Sequence, residues 1–287
     1  MSNYFALLAL EANFSVYITA FLQYLYPALK QHEDTQLCMV AVGLIGDICR
    51  ALGEQSVQYS APFMTVLLEN LQSDILNRNV KISILSCFGD IALAIGPAFE
   101  PYLETTMGVL MQAGAVEPNP VSMEILELSS RLTNPQLDYD LLDYVSQLRE
   151  GILEAYTGIV TALKNTPRGD DSSNCRVLFR SHDNPLLVSL LLPYVQSILE
   201  LVNRCVVDEE RTDDLLKLSY GIIGDLADCF PSGEIKQLLL VNWIAAEFRT
   251  RHHMRDDTKK TLRWAREVCV EHFHNENLSA HSRFADG

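Results

Sequence analysis

The sequence predicts an all-α protein built from stacked pairs of antiparallel helices. Three observations lead there. Apolar residues recur at helical spacing along most of the chain, short polar breaks divide the stripes into pairs, and the pairs begin at near-regular intervals. No strand alternation and no Asn-Gly hairpin turn competes with this pattern.

Residues 1–12 read as the end of an earlier helix. From Phe14 the apolar positions Phe14, Tyr17, Ile18, Phe21, Leu22, Leu25 and Leu29 mark one helix face. A polar break at Gln31–Asp34 leads to a second stripe, Leu37, Val40, Ala41, Leu44, Ile45, Ile48 and Leu52, closed by Gly53 as a C′ residue. With Cys38, Val42 and Cys49 off the stripe, this helix is apolar over most of its circumference. It must therefore be covered by more than its hairpin partner. The pair recurs as 57–72 with 79–95, 98–113 with 139–164, 185–206 with 212–230, and 234–250 with 255–275. Residues 114–138 and 165–185 interrupt the rhythm as irregular insertions, and a polar tail begins near 274. The expected organisation is one repeat domain over 1–287.

The chain has 287 residues, enough for a sizeable core, and carries 37 acidic against 22 basic residues for a net charge of −15. That balance repels phosphate backbones, so direct nucleic-acid binding is excluded and a basic protein partner favoured. Seven cysteines without a Cys-x-x-Cys pair, most within apolar segments, fit a reducing compartment. The longest apolar runs, around Leu186–Val195 and Leu238–Phe248, fall short of the roughly 18 residues of a membrane span. No basic residue precedes Lys30, so no signal peptide is expected. These features predict a soluble intracellular monomer that does not engage membranes. No Walker loop, Gly-x-Gly-x-x-Gly or Gly-x-Ser-x-Gly occurs, so no enzyme and no cofactor is expected. Cys269, His272 and His274, with His252 or His253, lack a defined fourth ligand and read as ordinary side chains rather than a metal site.

Internal similarity sharpens the architecture. First helices share proline followed by an aromatic: Pro62-Phe63, Pro101-Tyr102 and Pro193-Tyr194, which places proline in the first turn. Second helices share Gly46-Asp47-Ile48, Gly89-Asp90-Ile91 and Gly224-Asp225-Leu226. Glycine inside a helix costs about 0.5–1 kcal/mol relative to alanine, so its recurrence predicts close helix packing. A pair period in the forties indicates a HEAT-type α-solenoid rather than shorter repeats.

The segments Ala41–Leu52, Phe88–Gly96, Leu148–Glu150 with Leu153–Val160, Gly221–Leu226 and Thr261–Ala265 resemble, in order, the C-terminal third of importin-beta. The resemblance implies a nuclear import receptor segment, working in the cytoplasm, the nucleus and the nuclear pore. It implies an acidic concave surface that wraps the basic importin-beta-binding helix of importin-alpha or basic cargo. Contacts with phenylalanine-glycine nucleoporins and Ran-GTP also belong to the family, although the principal Ran contacts and a major nucleoporin site lie N-terminal to the matched region. Two other readings stay open: a HEAT-repeat scaffold or regulatory protein outside transport, and a truncated paralogue that sequesters importin-alpha.

Electrostatic capture of a cationic helix needs carboxylates on one surface and a few aromatic anchors. The candidates are Asp47, Asp90 and Asp225 on second helices, Glu150 and Glu154 at i,i+4, and the loop acids Asp208, Glu209 and Glu210. Residues 249–266 hold a net +5, leaving −20 on the remainder, so the charge is segregated. By resemblance, Trp264 matches the tryptophan of the family's last repeat and is the expected cation–π anchor. Trp243 is expected to be packing. Tyr24, Phe63 and Tyr102 are expected in the core rather than at a nucleoporin groove.

Overall fold

The computed structural model describes residues 15–116, 136–164, 185–249 and 254–282. Every regular element within them is helical. The chain divides into two compact units, residues 1–166 and 167–287.

The first unit contains α1 (Ser15–Leu29), α2 (Thr35–Leu52), α3 (Val57–Leu71), α4 (Arg78–Ile95), α5 (Glu100–Gly114) and α6 (Gln136–Lys164). First helices α1, α3 and α5 start 42 and 43 residues apart, at Ser15, Val57 and Glu100. This is the HEAT-type period. Each first helix packs on its own second helix, while α2 packs on α4 and α4 on α6. The second helices thus form a continuous layer. Their fully buried residues, among them Ile45, Ile48, Phe88, Ile91, Ile152 and Tyr156, need that cover on several sides.

Local chemistry sets the helix ends. The Asp34 carboxylate accepts the Leu37 N–H at 3.0 Å to start α2, and the Asn77 side chain accepts the Asn79 N–H at 2.9 Å to start α4. Gly53 and Gly96 stop them at φ 52° and 55°, a region that side chains with a Cβ rarely enter. Each glycine opens a short 3₁₀ turn, Gly53–Ser56 and Gly96–Phe99, that feeds directly into the next helix.

The expected proline positions are corrected. Of the three, only Pro101 lies in a first turn; Pro62 lies inside α3 and Pro193 inside the helix Pro185–Val207, because both helices begin more than a turn earlier. Both prolines are exposed, so water can satisfy the carbonyl that each leaves without a donor.

The second unit contains α7 (Pro185–Val207), α8 (Asp213–Cys229), α9 (Lys236–Leu239), α10 (Asn242–Glu247) and α11 (Asp256–Ser282). The α8 helix packs on α7 and on α11, again placing second helix on second helix. The single helix expected over 234–250 is instead the pair α9 and α10, broken at Leu240–Val241, where Val241 is extended at ψ 151°. Buried Ile235 and Ile244 explain the break, since nine residues of continuous helix would turn them to opposite faces. The closing helix runs to Ser282 rather than about 275, because no glycine or proline interrupts it.

The insertions expected at 114–138 and 165–185 fall largely outside the described residues. Three runs are long and apolar enough to cross a membrane by length and composition: Thr35–Leu71, Arg78–Gly114 and Leu187–Val207. This corrects the expectation that none would be. Gly53 and Gly96 divide the first two runs into separate helices, and 44–50% of the apolar 18-residue stretch within each run is buried inside the fold. Among the described residues, Cys38, Cys49, Cys87, Cys205, Cys229 and Cys269 are buried and outside any disulfide, used as small side chains of the core.

Candidate partner-binding site

The second-helix layer of the first unit collects several of the expected carboxylates. Gly46 leaves room on α2 for a side chain of α4: a Cβ there would meet the Asp90 Oδ2 at 2.5 Å. The absent side chain seats Asp90 beside α2, where Arg50 donates to Asp47 at 2.5 Å and also pairs with Asp90. Burial works against the Arg50 charge, but its bonds to Asp90 and Asp47 outweigh that and raise the guanidinium pKa above its usual value. One turn before Asp90, Ser86 donates to the Glu154 carboxylate of α6 at 2.6 Å. Asp47, Asp90 and Glu154 therefore line one surface across α2, α4 and α6, and Glu150 sits one turn before Glu154.

The α4–α6 contact is closer still. A Cβ on Gly158 would lie 2.6 Å from the Gly89 Cα, and one on Gly89 would lie 2.9 Å from the Ala155 Cα. The glycine-aspartate recurrence is thus a packing device: glycine admits the neighbouring second helix and sets the aspartate that follows at the seam. Arg50 and Ser86, which hold the carboxylates in place, were not among the expected site residues. The i,i+3 spacing of Asp47 and Arg50 was the available signal.

In the second unit Gly224 takes the same role against Trp264. A methyl group on Gly224 would run into the indole, which is nonetheless 39% exposed. Asp225 follows Gly224 and is half-buried. The expected loop acids lie elsewhere. Asp208, Glu209 and Glu210 occupy the α7–α8 turn, where Asp208 Oδ1 accepts the Glu210 N–H at 3.0 Å and Arg211 donates to the Asp208 carbonyl at 2.6 Å. They form a cluster at the hairpin end between α7 and α8.

The basic end is tied down at its start. Arg255 donates to Asp213 at 2.8 Å and pairs with Asp214, while Thr258 donates to Asp213 at 2.5 Å and Lys217 to Asp257 at 2.8 Å. Among the other expectations, Phe63 is buried, and Tyr102 is half-buried, within hydrogen-bond distance of Ser60 at 3.2 Å. Trp243 is half-buried. Tyr24, expected in the core, is 70% exposed because it lies beside the buried Ile18–Leu25–Leu29 stripe rather than on it. Of the residues weighed as a metal set, Cys269 is buried and its thiol is pushed up to about 12 by that burial; the side chains of His272 and His274 lie outside the described residues.

Paired helices of this period, stacked through glycine seams, define a helical-repeat protein of the HEAT class. A family model described as importin subunit beta-1-like, TPR repeats, matches residues 6–173 and 180–252, and the chain belongs to that family. It is 39% identical to importin subunit beta-1 of Schizosaccharomyces pombe over 261 residues, covering 90% of this chain and 26% of that protein. It is 33% identical to importin subunit beta-1 of Arabidopsis thaliana over 260 residues, with 90% and 26% covered. Its fold is similar to a crystal structure of importin beta in a polyethylene glycol condition, with a TM-score of 0.75 and 36% identity over 92% of this chain and 28% of that one. It is also similar to Kap95p in a structure concerned with RanGDP, with a TM-score of 0.74, 31% identity and 93% and 27% covered. A Kap95:Nup1 complex gives a TM-score of 0.74 and 30% identity over 94% and 28%. The chain spans about a quarter of the length of these relatives.

Proposed function

We propose that this chain is a nuclear import receptor segment whose second-helix layer binds a basic helix, that of importin-alpha or of basic cargo. The observation that carries the reading is the alignment of Asp47, Asp90 and Glu154 across α2, α4 and α6. With Glu150 beside them, these groups offer a row of carboxylates to successive lysines or arginines. Arg50 already neutralises part of that row, so long-range attraction rests also on the overall charge of −15. In the second unit, Trp264 with Asp225 supplies an aromatic face beside a carboxylate, a setting for a guanidinium or ammonium group. Asp208, Glu209 and Glu210 act at most as peripheral steering charges.

Binding of this kind requires no cofactor and no turnover. Kap95p has been studied with RanGDP and with Nup1, which supports Ran and nucleoporins as further partners of this segment. Work in the cytoplasm, the nucleus and the pore follows from the same reading.

The test is a titration of the isolated importin-alpha basic helix at low and physiological salt. The reading expects measurable binding that weakens steeply with salt and weakens again with Trp264→Ala. Absence of binding at low salt would reject it in favour of a scaffold role outside transport. Addition of Ran-GTP to the complex then separates a dischargeable receptor from a sequestering paralogue, which would hold its helix.

A further inference from the structure

The carboxylate row carries its own cation. The α2 helix has two charged side chains, Asp47 and Arg50, and α4 has one acid, Asp90. One terminal nitrogen of Arg50 donates to Asp47 at 2.5 Å and the other pairs with Asp90, so a single guanidinium bridges both carboxylates across the α2–α4 seam. The cation is also the outermost of the three. Its side chain is 43% exposed, against 22% for Asp47 and 29% for Asp90. A basic helix arriving at this rung meets positive charge before it meets either acid. Glu154, on the next rung, is held by the neutral Ser86 hydroxyl, which leaves its charge in place.

Stacking does not require this arginine. The Gly-Asp motif occurs in three second helices, and the position three residues after its aspartate holds Arg50, Leu93 and Asp228. Leu93 belongs to the motif of Gly89, the glycine of the closer α4–α6 contact. A second helix there joins its neighbour with an apolar residue in the arginine's place. An exposed ion pair also adds little net stability, because water solvates its separated members nearly as well. The Arg50 bridge is therefore open to exchange with an incoming cation.

We infer that Arg50 is an internal competitor, which occupies the Asp47–Asp90 rung and must be displaced there by a basic side chain of the partner helix. The inference rests on the proposed capture of a basic helix and names what limits it: affinity is held down while both acids are kept. Arg50 acts on the partner through the two aspartates, as a positioning residue.

The experiment titrates the full chain with the isolated importin-alpha basic helix at low salt. Parent, Arg50→Gln and Arg50→Lys are compared with Lys30→Gln, which removes the same charge where Lys30 pairs with Glu69 of α3. Arg50→Gln should tighten binding at least threefold, by more than Lys30→Gln does, and steepen its salt dependence. Arg50→Lys offers one nitrogen to two carboxylates, so its affinity should fall between those of parent and Arg50→Gln. If Arg50→Gln misfolds by circular dichroism, Arg50→Lys decides, and it must bind more tightly than the parent. Adding Asp90→Asn to Arg50→Gln should remove most of the gain. A purely structural arginine gives the opposite sign, since a loosened seam weakens binding. Equal or weaker binding by the folded variants, a gain matched by Lys30→Gln, or one that survives Asp90→Asn in full overturns the inference; binding by the parent still upholds the receptor reading. Binding by Arg50→Gln alone supports the inference and rejects the receptor reading of the parent. Binding by neither rejects both.

Discussion

Trp264 lies against Gly224 so closely that a methyl group on the glycine would meet Cη2 at 2.7 Å and Cε3 at 2.8 Å of the indole. One face of the ring is thus spent on α8, while more than a third of the residue stays open to solvent. The glycine seats the tryptophan, and the seating limits the rotamers from which it meets a partner. A ring already ordered loses less entropy on binding than a free one.

Trp264→Ala should weaken binding of the importin-alpha basic helix by about 1–2 kcal/mol, roughly five- to thirtyfold. Isothermal titration at low salt measures this, with a melting curve to establish that the variant stays folded. An unchanged affinity in a folded variant would remove Trp264 from the site.

Two glycine substitutions should act in opposite directions. Gly158 faces the Gly89 backbone, which cannot give way, whereas nothing lies within 4 Å of a Cβ at Gly43. Alanine gains up to about 1 kcal/mol of helix propensity at either position, but overpacking costs about 1–3 kcal/mol where backbone blocks it. Gly158→Ala should lower unfolding free energy in urea by about 1–2 kcal/mol, and Gly43→Ala should raise it.

Acid should loosen the α8–α11 junction. Burial pushes the Asp213 carboxyl up, but the Thr258 hydroxyl and the Arg255 guanidinium outweigh it and hold the group below its usual value. A depressed native pKa contributes stability above the unfolded value of about 3.9, and that contribution is lost as pH falls through the native value. Melting temperature should therefore drop below about pH 4, and Asp213→Asn should show a shallower drop with a lower plateau near neutrality. Identical acid profiles for parent and variant would contradict this account.

Buried thiols should resist alkylation. Burial pushes Cys49 and Cys269 up to about 12 and raises Cys87 well above the ordinary range. At pH 8 a thiol of that pKa is ionised to about one part in ten thousand, and its access is blocked as well. Iodoacetamide mapping by mass spectrometry should leave these three unlabelled in buffer and label them in urea.

Much of the fold was legible because helix formation here follows a local rule. Stripes such as Leu37–Leu52 repeat at 3.6 residues, and Gly53 and Gly96 announce the chain reversals by their need for positive φ. Pro62 and Pro193 were harder to place, since exposed prolines are tolerated inside a helix when water meets the freed carbonyl. The break at Leu240–Val241 was hidden because it serves two buried isoleucines, Ile235 and Ile244, rather than any breaker residue.

Candidate sites were legible as residue types on helices or loops, not as contacts. The sequence separates Asp90, in a second helix, from Asp208, in a loop, and Asp208 indeed closes a hairpin turn. It does not show that Asp90 sits over Gly46, because that contact depends on a helix 44 residues away.

The sequence by itself determined the helices, their pairing and their repeat length, since periodicity, caps and positive-φ glycines act within a few residues. Tertiary structure alone decided which residues meet: Arg50 with Asp90, Ser86 with Glu154, and Trp264 on Gly224. Those contacts depend on how closely two helices approach, and on what lies opposite Gly46, Gly89, Gly158 and Gly224 across seams that the chain order does not display.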